Sequence, residues 1–157
     1  MVFRKTMANR KEEKILLILT DEESAKAEEA AFSYAKQNSK KLVVLQILTS
    51  QLYHYGHQDI IATRPSKRQF LLHIRDEVME RGKARAKALT EKAQQAGIDL
   101  EMLSVESENI PSIAAAEAKK GYETIFLQRE KRKLLPLFEK TLAGHLKKKT
   151  DSRVMEC

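Results

Sequence analysis

The chain has 157 residues, 42% of them hydrophobic and 32% charged, with only five Gly and three Pro, a composition that excludes a disordered or fibrous protein and fits one globular domain. A single cysteine, Cys157 at the last position, excludes an intrachain disulfide and any cysteine-based metal site. No apolar run approaches the ~20 residues of a membrane span, and no leader-like apolar segment follows the basic opening, so a cytoplasmic protein without membrane insertion is expected. The net charge is +7 but it is unevenly spread: Met1 to Lys14 carries +3 and Arg129 to Arg153 carries +6, which leaves −2 for the stretch between. Basicity therefore belongs to a tail, residues 1–13, and to a late segment, while the domain proper, 14–157, is nearly neutral up to that segment.

In chain order, Ile15-Leu-Leu-Ile-Leu19 is a short continuous apolar run, the pattern of a parallel strand covered on both faces. Thr20 with Glu23 three residues on is a capping-box signature, and the acids crowding that turn favour a helix start. Ala27, Ala30, Ala31 and Tyr34 recur at helical spacing, Asn38-Ser39 closes the helix, and Leu42 to Leu48, broken only by Gln46, supplies a second buried strand. Residues 51–66 carry Tyr53, His54, Tyr55 and His57 without sustained periodicity and are expected to form a long loop. A long helix is expected from about Lys67 to Ala96, with Phe70, Ile74, Val78, Ala86, Leu89 and Ala93 as its buried stripe and Gly97 as its left-handed stop.

Ile98 to Val105 alternates in polarity, which suits a strand near a sheet edge. Asn109-Ile110-Pro111 opens a third helix, with Ile113, Ala114 and Ala118 facing inward and Gly121 ending it. Thr124 to Leu127 reads as a fourth strand, Leu134 to Lys149 as a fourth helix, and Ser152 to Glu156 as at most a stub of a fifth strand. Strands alternating with helices in this way define an α/β fold with a mainly parallel sheet, whose binding crevice lies beyond the carboxyl ends of the strands.

Three stretches carry a family resemblance: Ile15 to Tyr34 with its strand ending in Thr20-Asp21, the strand Leu42 to Ile47, and Glu106 to Leu127 with its Ile/Ala-patterned helix. Together they resemble the universal stress protein family, over Lys14 to about Lys149. The resemblance implies a Rossmann-like, adenine nucleotide alpha hydrolase-like domain whose five-stranded sheet has the order 3-2-1-4-5, with the fifth strand here short or missing. It also implies a homodimer, since members commonly pair their fifth strands. In this chain a weak fifth strand would leave the fourth as an exposed apolar edge, so a homodimer using the fourth-strand side is expected, with another protein partner as the alternative.

Nucleotide-binding members of that family place a Gly-x-x-Gly turn after the fourth strand and a Gly-Ser or Gly-Thr pair at the next helix start. Aligned residue by residue, the turn falls on Gln128-Arg129-Glu130-Lys131 and the pair on Glu139-Lys140, with no glycine at any of these positions. The resemblance implies nucleotide contacts, if they are retained, at Thr20, Asp21, Leu48, Gln128 and Arg129, although Asp21 reads more simply as a helix-start acid. Lys131, Arg132, Lys133 and Lys140 are candidate anion-binding side chains, against the plainer reading of a solvated charged loop.

His54 and His57 lack a partner at ligand spacing, so no metal site is expected. No Ser-His-Asp order, paired acids or nucleophile elbow is present to carry enzyme chemistry. The expected function is a non-enzymatic regulatory or interaction module with no cofactor. The alternative is an ATP or other adenine-nucleotide binder with a basic cradle and slow hydrolysis. A weaker one is non-specific polyanion binding through Arg129 to Lys133 and Lys147 to Lys149, lost near physiological ionic strength; the lack of interleaved aromatics argues against a specific nucleic-acid partner.

Overall fold

Ile15 to Leu19 are all buried, and their side chains divide by parity between two separate cores. In this computed structural model, residues 14–20, 25–49, 64–107, 109–128 and 142–157 are described. The apolar run forms β1 (Lys14–Leu19), followed by α1 (Ala25–Asn38) and β2 (Lys41–Leu48). The long helix α2 (Arg64–Ala96) leads to β3 (Leu100–Glu106), α3 (Ile110–Ala118), β4 (Thr124–Leu127), α4 (Leu142–Lys149) and β5 (Arg153–Glu156). The five strands lie in the order β3-β2-β1-β4-β5, and every neighbouring pair is parallel. This is the α/β architecture expected, with the alternating strand β3 at one edge and the four-residue β5 at the other.

Each face of the sheet has its own helices. Leu16, Ile18, Val43, Leu45 and Ile47 meet α3 and α4 through Ala114, Ala118 and Leu146. Ile15, Leu17, Leu19, Leu42 and Val44 meet α1 and α2 through Ala27, Ala31, Leu89 and Ala93. Gln46, which interrupts the second apolar run, is 2% exposed and its side-chain oxygen accepts a hydrogen bond from the Ser104 hydroxyl at 3.1 Å. That partner on β3 removes the desolvation cost of an unpaired buried amide oxygen.

Helix ends follow local chemistry. The Asn109 side chain caps α3 by accepting from the Ser112 N–H, with Pro111 in the first turn. Gly97 stops α2 at a φ of 71°, which L side chains rarely adopt. Glu23 of the capping box, the loop at 51–63 and the first turns of the fourth helix, 134–141, lie outside the described residues.

Two expectations are corrected. The buried stripe of the long helix does not run its whole length: Leu89 and Ala93 are buried, Ala86, Ile74 and Val78 only partly, and Phe70 is 52% exposed. The reason is length, because 33 residues make a helix of about 50 Å whereas the eight residues of β2 span about 27 Å. The amino-terminal half of α2 therefore outruns the sheet it packs on, and its Arg75 reaches back to Glu106 at the end of β3 (3.1 Å). The second correction concerns β4, which is not an exposed edge. It is buried throughout and paired with β5 from Thr124↔Arg153 to Leu127↔Glu156.

The strand amino termini are tied together by Glu123. Its backbone N–H donates to the Lys14 carbonyl at 2.9 Å, and its carboxylate accepts from the Tyr34 hydroxyl of α1 and pairs with Lys40 at 2.9 Å. Arg153 stacks its guanidinium on the Tyr34 ring, 5.9 Å from the centroid. Burial alone would raise the Glu123 carboxyl, but the hydrogen bond from Tyr34, the Lys40 ammonium and Arg153 outweigh it and hold the group below its ordinary value. A carboxylate depressed on folding contributes stability that is present above its unfolded value of 4.5 and is lost as pH falls through the folded one. Glu123→Gln keeps an acceptor for Tyr34 but loses the charge. At neutral pH it should cost about 1 kcal/mol, measured by urea unfolding, with parent and variant converging in acid. A difference that stays constant with pH would contradict this account.

Candidate functional site

The sheet winds in opposite directions from β1, towards β2 and β3 on one side and towards β4 and β5 on the other, so the switch point lies between β1 and β4. In open parallel sheets the carboxyl-end crevice at such a point is where ligands bind, because the flanking loops diverge there. Three of the nucleotide-contact candidates stand at this edge. Thr20 follows β1, Leu48 ends β2 and Gln128 follows β4; from the register Ile18↔Leu127, Gln128 lies level with Leu19, one residue short of Thr20. Thr20, Leu48 and Gln128 thus occupy the same edge on three adjacent strands. Asp21 and Arg129, and the anion-binding candidates Lys131, Arg132, Lys133 and Lys140, lie outside the described residues, as do His54 and His57.

The environment of the three differs. Leu48 is 8% exposed and covered by α2. A Cβ placed on Gly82 would stand 2.7 Å from Leu48 Cδ1, so the bare glycine lets the helix settle onto the end of β2. Gln128 is partly buried, and its side-chain oxygen is buried with no hydrogen-bond partner among the described residues. Its backbone does not take a left-handed conformation, since Ser39 is the only non-glycine with positive φ among the described residues.

One turn along from Gly82, Arg85 closes the same edge. Its Nη1 donates to the Thr20 carbonyl oxygen at 3.1 Å, while Nη2 and Nε both donate to Glu28 Oε1, at 2.9 and 3.3 Å. The guanidinium therefore joins three elements: the end of β1, the first turns of α1, and α2. Both Arg85 and Glu28 are mostly buried, which makes the pair worth more than an exposed ion pair. Sequence reading did not find either α2 residue. A lone glycine inside a helical pattern was the available signal for Gly82, whereas nothing distinguishes Arg85 from the other basic residues of that helix until the fold places it.

The geometry defines an open parallel α/β domain with a switch-point crevice. No family model matches the sequence, and no match is found among curated proteins. Solved structures do share the fold. A universal stress protein family structure from Burkholderia pseudomallei superposes with a TM-score of 0.64 at 17% identity, covering 94% of this chain and 97% of that one. A universal stress protein in complex with cAMP gives a TM-score of 0.56 at 12% identity, covering 90% and 95%. An Arabidopsis thaliana member with AMP bound gives 0.50 at 14%, covering 90% of each chain. The chain has the fold of these proteins over nearly its whole length.

Arg85→Met should leave Glu28 without its cation and the Thr20 carbonyl without its donor. The expected loss is about 1–3 kcal/mol in urea unfolding, less in Arg85→Lys, which keeps the charge but not the fork. A Met variant as stable as the parent would show that the clamp does not hold the β1 end.

Proposed function

We propose that this protein is a universal-stress-protein-like regulatory or interaction module that performs no catalysis and does not hold ATP tightly. The observation that carries this reading is Gln128. It stands at the carboxyl end of β4, where the family resemblance puts the first glycine of a phosphate-binding turn, and its backbone keeps an ordinary negative φ. Phosphate cradles of this kind rely on bare backbone N–H groups in conformations that glycine adopts without cost, so a side chain here works against close approach. In the sequence, Lys131 and Glu139 likewise stand where that pattern has glycine, and Lys140 where it has Ser or Thr.

A second reading, an adenine-nucleotide binder with an atypical basic cradle, has one observation of its own. The unpartnered buried oxygen of Gln128 faces the desolvation penalty of any orphaned acceptor, and an adenine amino group would relieve it. Structures with the same fold carry cAMP and AMP. The two readings separate on the purified protein. The chain has no Trp, so the ratio of absorbance at 260 and 280 nm responds sharply to a co-purified adenine. No bound nucleotide and at most weak ATP binding by calorimetry are expected; co-purified nucleotide or micromolar affinity would overturn the proposal in favour of the second reading.

The module is proposed to act as a homodimer joined along the β5 edge. No described strand pairs with the outer side of β5, Met155 is 38% exposed on it, and an unpaired strand edge is a template for another chain. Val154 already packs into the core beneath α4, which leaves little apolar surface for the contact and predicts moderate affinity. Sedimentation should find a concentration-dependent monomer–dimer equilibrium weakened by Met155→Lys; a stable monomer at high micromolar concentration would defeat the dimer.

A further inference from the structure

Two concavities of the described surface lie at the opposite end of the sheet from the switch point. One, of about 810 Å³, is lined by Lys40, Lys119, Lys147, Lys148 and Lys149, with Glu123 and Asp151 as its acids. The other, of about 1030 Å³, is lined by Lys14, Lys36, Lys40 and Lys41, with Asp99. Lys40 belongs to both, so the two grooves meet. Together they present eight lysines against three carboxylates among the described residues.

Part of this charge follows from the fold. A parallel α/β sheet directs every helix carboxyl end to the same edge, and a cation there complements the helix dipole. Lys36, Lys119 and Lys147 to Lys149 sit at such ends, on α1, α3 and α4. Lys14, Lys40 and Lys41 do not, because they stand at strand beginnings, where the net dipole is small. The charge is neutralised only in part: Lys40 pairs with Glu123, Lys41 with Glu101 and Lys147 with Glu156, whereas Lys14, Lys36, Lys119 and Lys149 have no ion-pair partner among the described residues.

The chemistry of the grooves selects the class of anion. Among the described residues every cation lining them is a lysine, a point charge without the planar fork that reads carboxylates, phosphodiesters or guanine bidentately. The one aromatic among the described lining residues, Tyr122, is 8% exposed and its hydroxyl donates to Glu117 at 2.6 Å, so the described residues offer no stacking platform for a base. The surface is concave, whereas reading a duplex calls for an element that enters its groove. A flexible, unbranched chain of phosphates meets all three conditions. We propose that the joined basic grooves at the strand amino termini bind linear inorganic polyphosphate.

The test uses the full chain and polyphosphate of defined length, with affinity measured by calorimetry over a series of salt concentrations. Lys36→Gln/Lys119→Gln/Lys149→Gln removes three exposed groove lysines without breaking a described ion pair. Lys26→Gln/Lys83→Gln/Lys87→Gln removes the same charge from exposed positions outside the grooves. The groove variant should bind at least tenfold more weakly and lower the slope of log K against log salt by about 2, at about 0.7 per phosphate contact of a single strand. The control should stay within about twofold. Equal weakening by both triples would reduce the effect to net charge, and an unaffected groove variant would place binding elsewhere; either overturns the proposal. Duplex DNA bound as tightly, with the same sensitivity to the groove triple, would make the surface a phosphodiester reader and overturn it too. Lysine acetylation footprinting on the unmodified protein supplies a second readout: polyphosphate should protect Lys14, Lys36, Lys119 and Lys149, and lack of protection there refutes the site even if a variant misfolds.

Discussion

The burial of β1 on both faces governs the rest of the molecule. Five consecutive large aliphatic side chains, Ile15 to Leu19, cannot be hidden by one layer, because alternate residues of a strand point to opposite sides. Helices must therefore cover both faces, and strands must flank both sides of β1 to satisfy its backbone. β2 does so on one side and β4 on the other, in matching register through Ile15↔Leu42 and Ile15↔Thr124. Two cores result, and both draw on this strand. The switch in winding direction at β1, and with it the crevice beyond its carboxyl end, is a consequence of that same central placement.

Much of this was legible in the amino-acid order because local and global preferences agree there. Continuous apolar runs became the central strands, the alternating run at Leu100 became the edge strand β3, and Gly97 ended its helix at positive φ. The reading failed where the outcome depended on relative lengths and distant partners. Phe70, Ile74 and Val78 have faultless helical spacing, but spacing does not report whether a sheet extends far enough to cover them. β5, with only Val154 and Met155 as apolar residues, was expected as no more than a stub, and its four residues paired with β4 suffice to cover that strand, which residue content alone does not reveal. At the candidate site, Thr20, Leu48 and Gln128 were found through a family pattern, whereas Arg85 is 65 residues from the carbonyl it caps and no pattern of spacing connects them.

The two ends of the sheet are built on different principles. At the carboxyl end, order rests on one guanidinium fork and a missing side chain, Arg85 and Gly82. At the amino end it rests on two engaged carboxylates: the half-buried Glu123 with Tyr34 and Lys40, and Glu117, which is 8% exposed and holds both the Tyr122 hydroxyl and Lys120, at 2.6 and 2.8 Å. Burial together with the Glu117 carboxylate pushes the Tyr122 phenol well above its ordinary value, and the same carboxylate raises Lys120. These acids are committed to neighbours within the fold and contribute structure rather than free negative charge, which is why lysines dominate what solvent meets at that end.

The overhang of α2 divides one helix into two regimes of persistence. From Gly82 to Ala93 its inner side is held by Leu48 and the β1–β2 core, the kind of packing that ties the exchange of amide protons to opening of the whole domain. From Gln69 to Glu80 nearly every described side chain is exposed or half-buried, and a helix without such support is only marginally stable in water. Breaking those turns exposes little apolar surface that was not exposed already, so they can melt and re-form without disturbing the core. A continuous helix in the folded structure is in this sense two cooperative units, with the boundary set where the sheet beneath it stops.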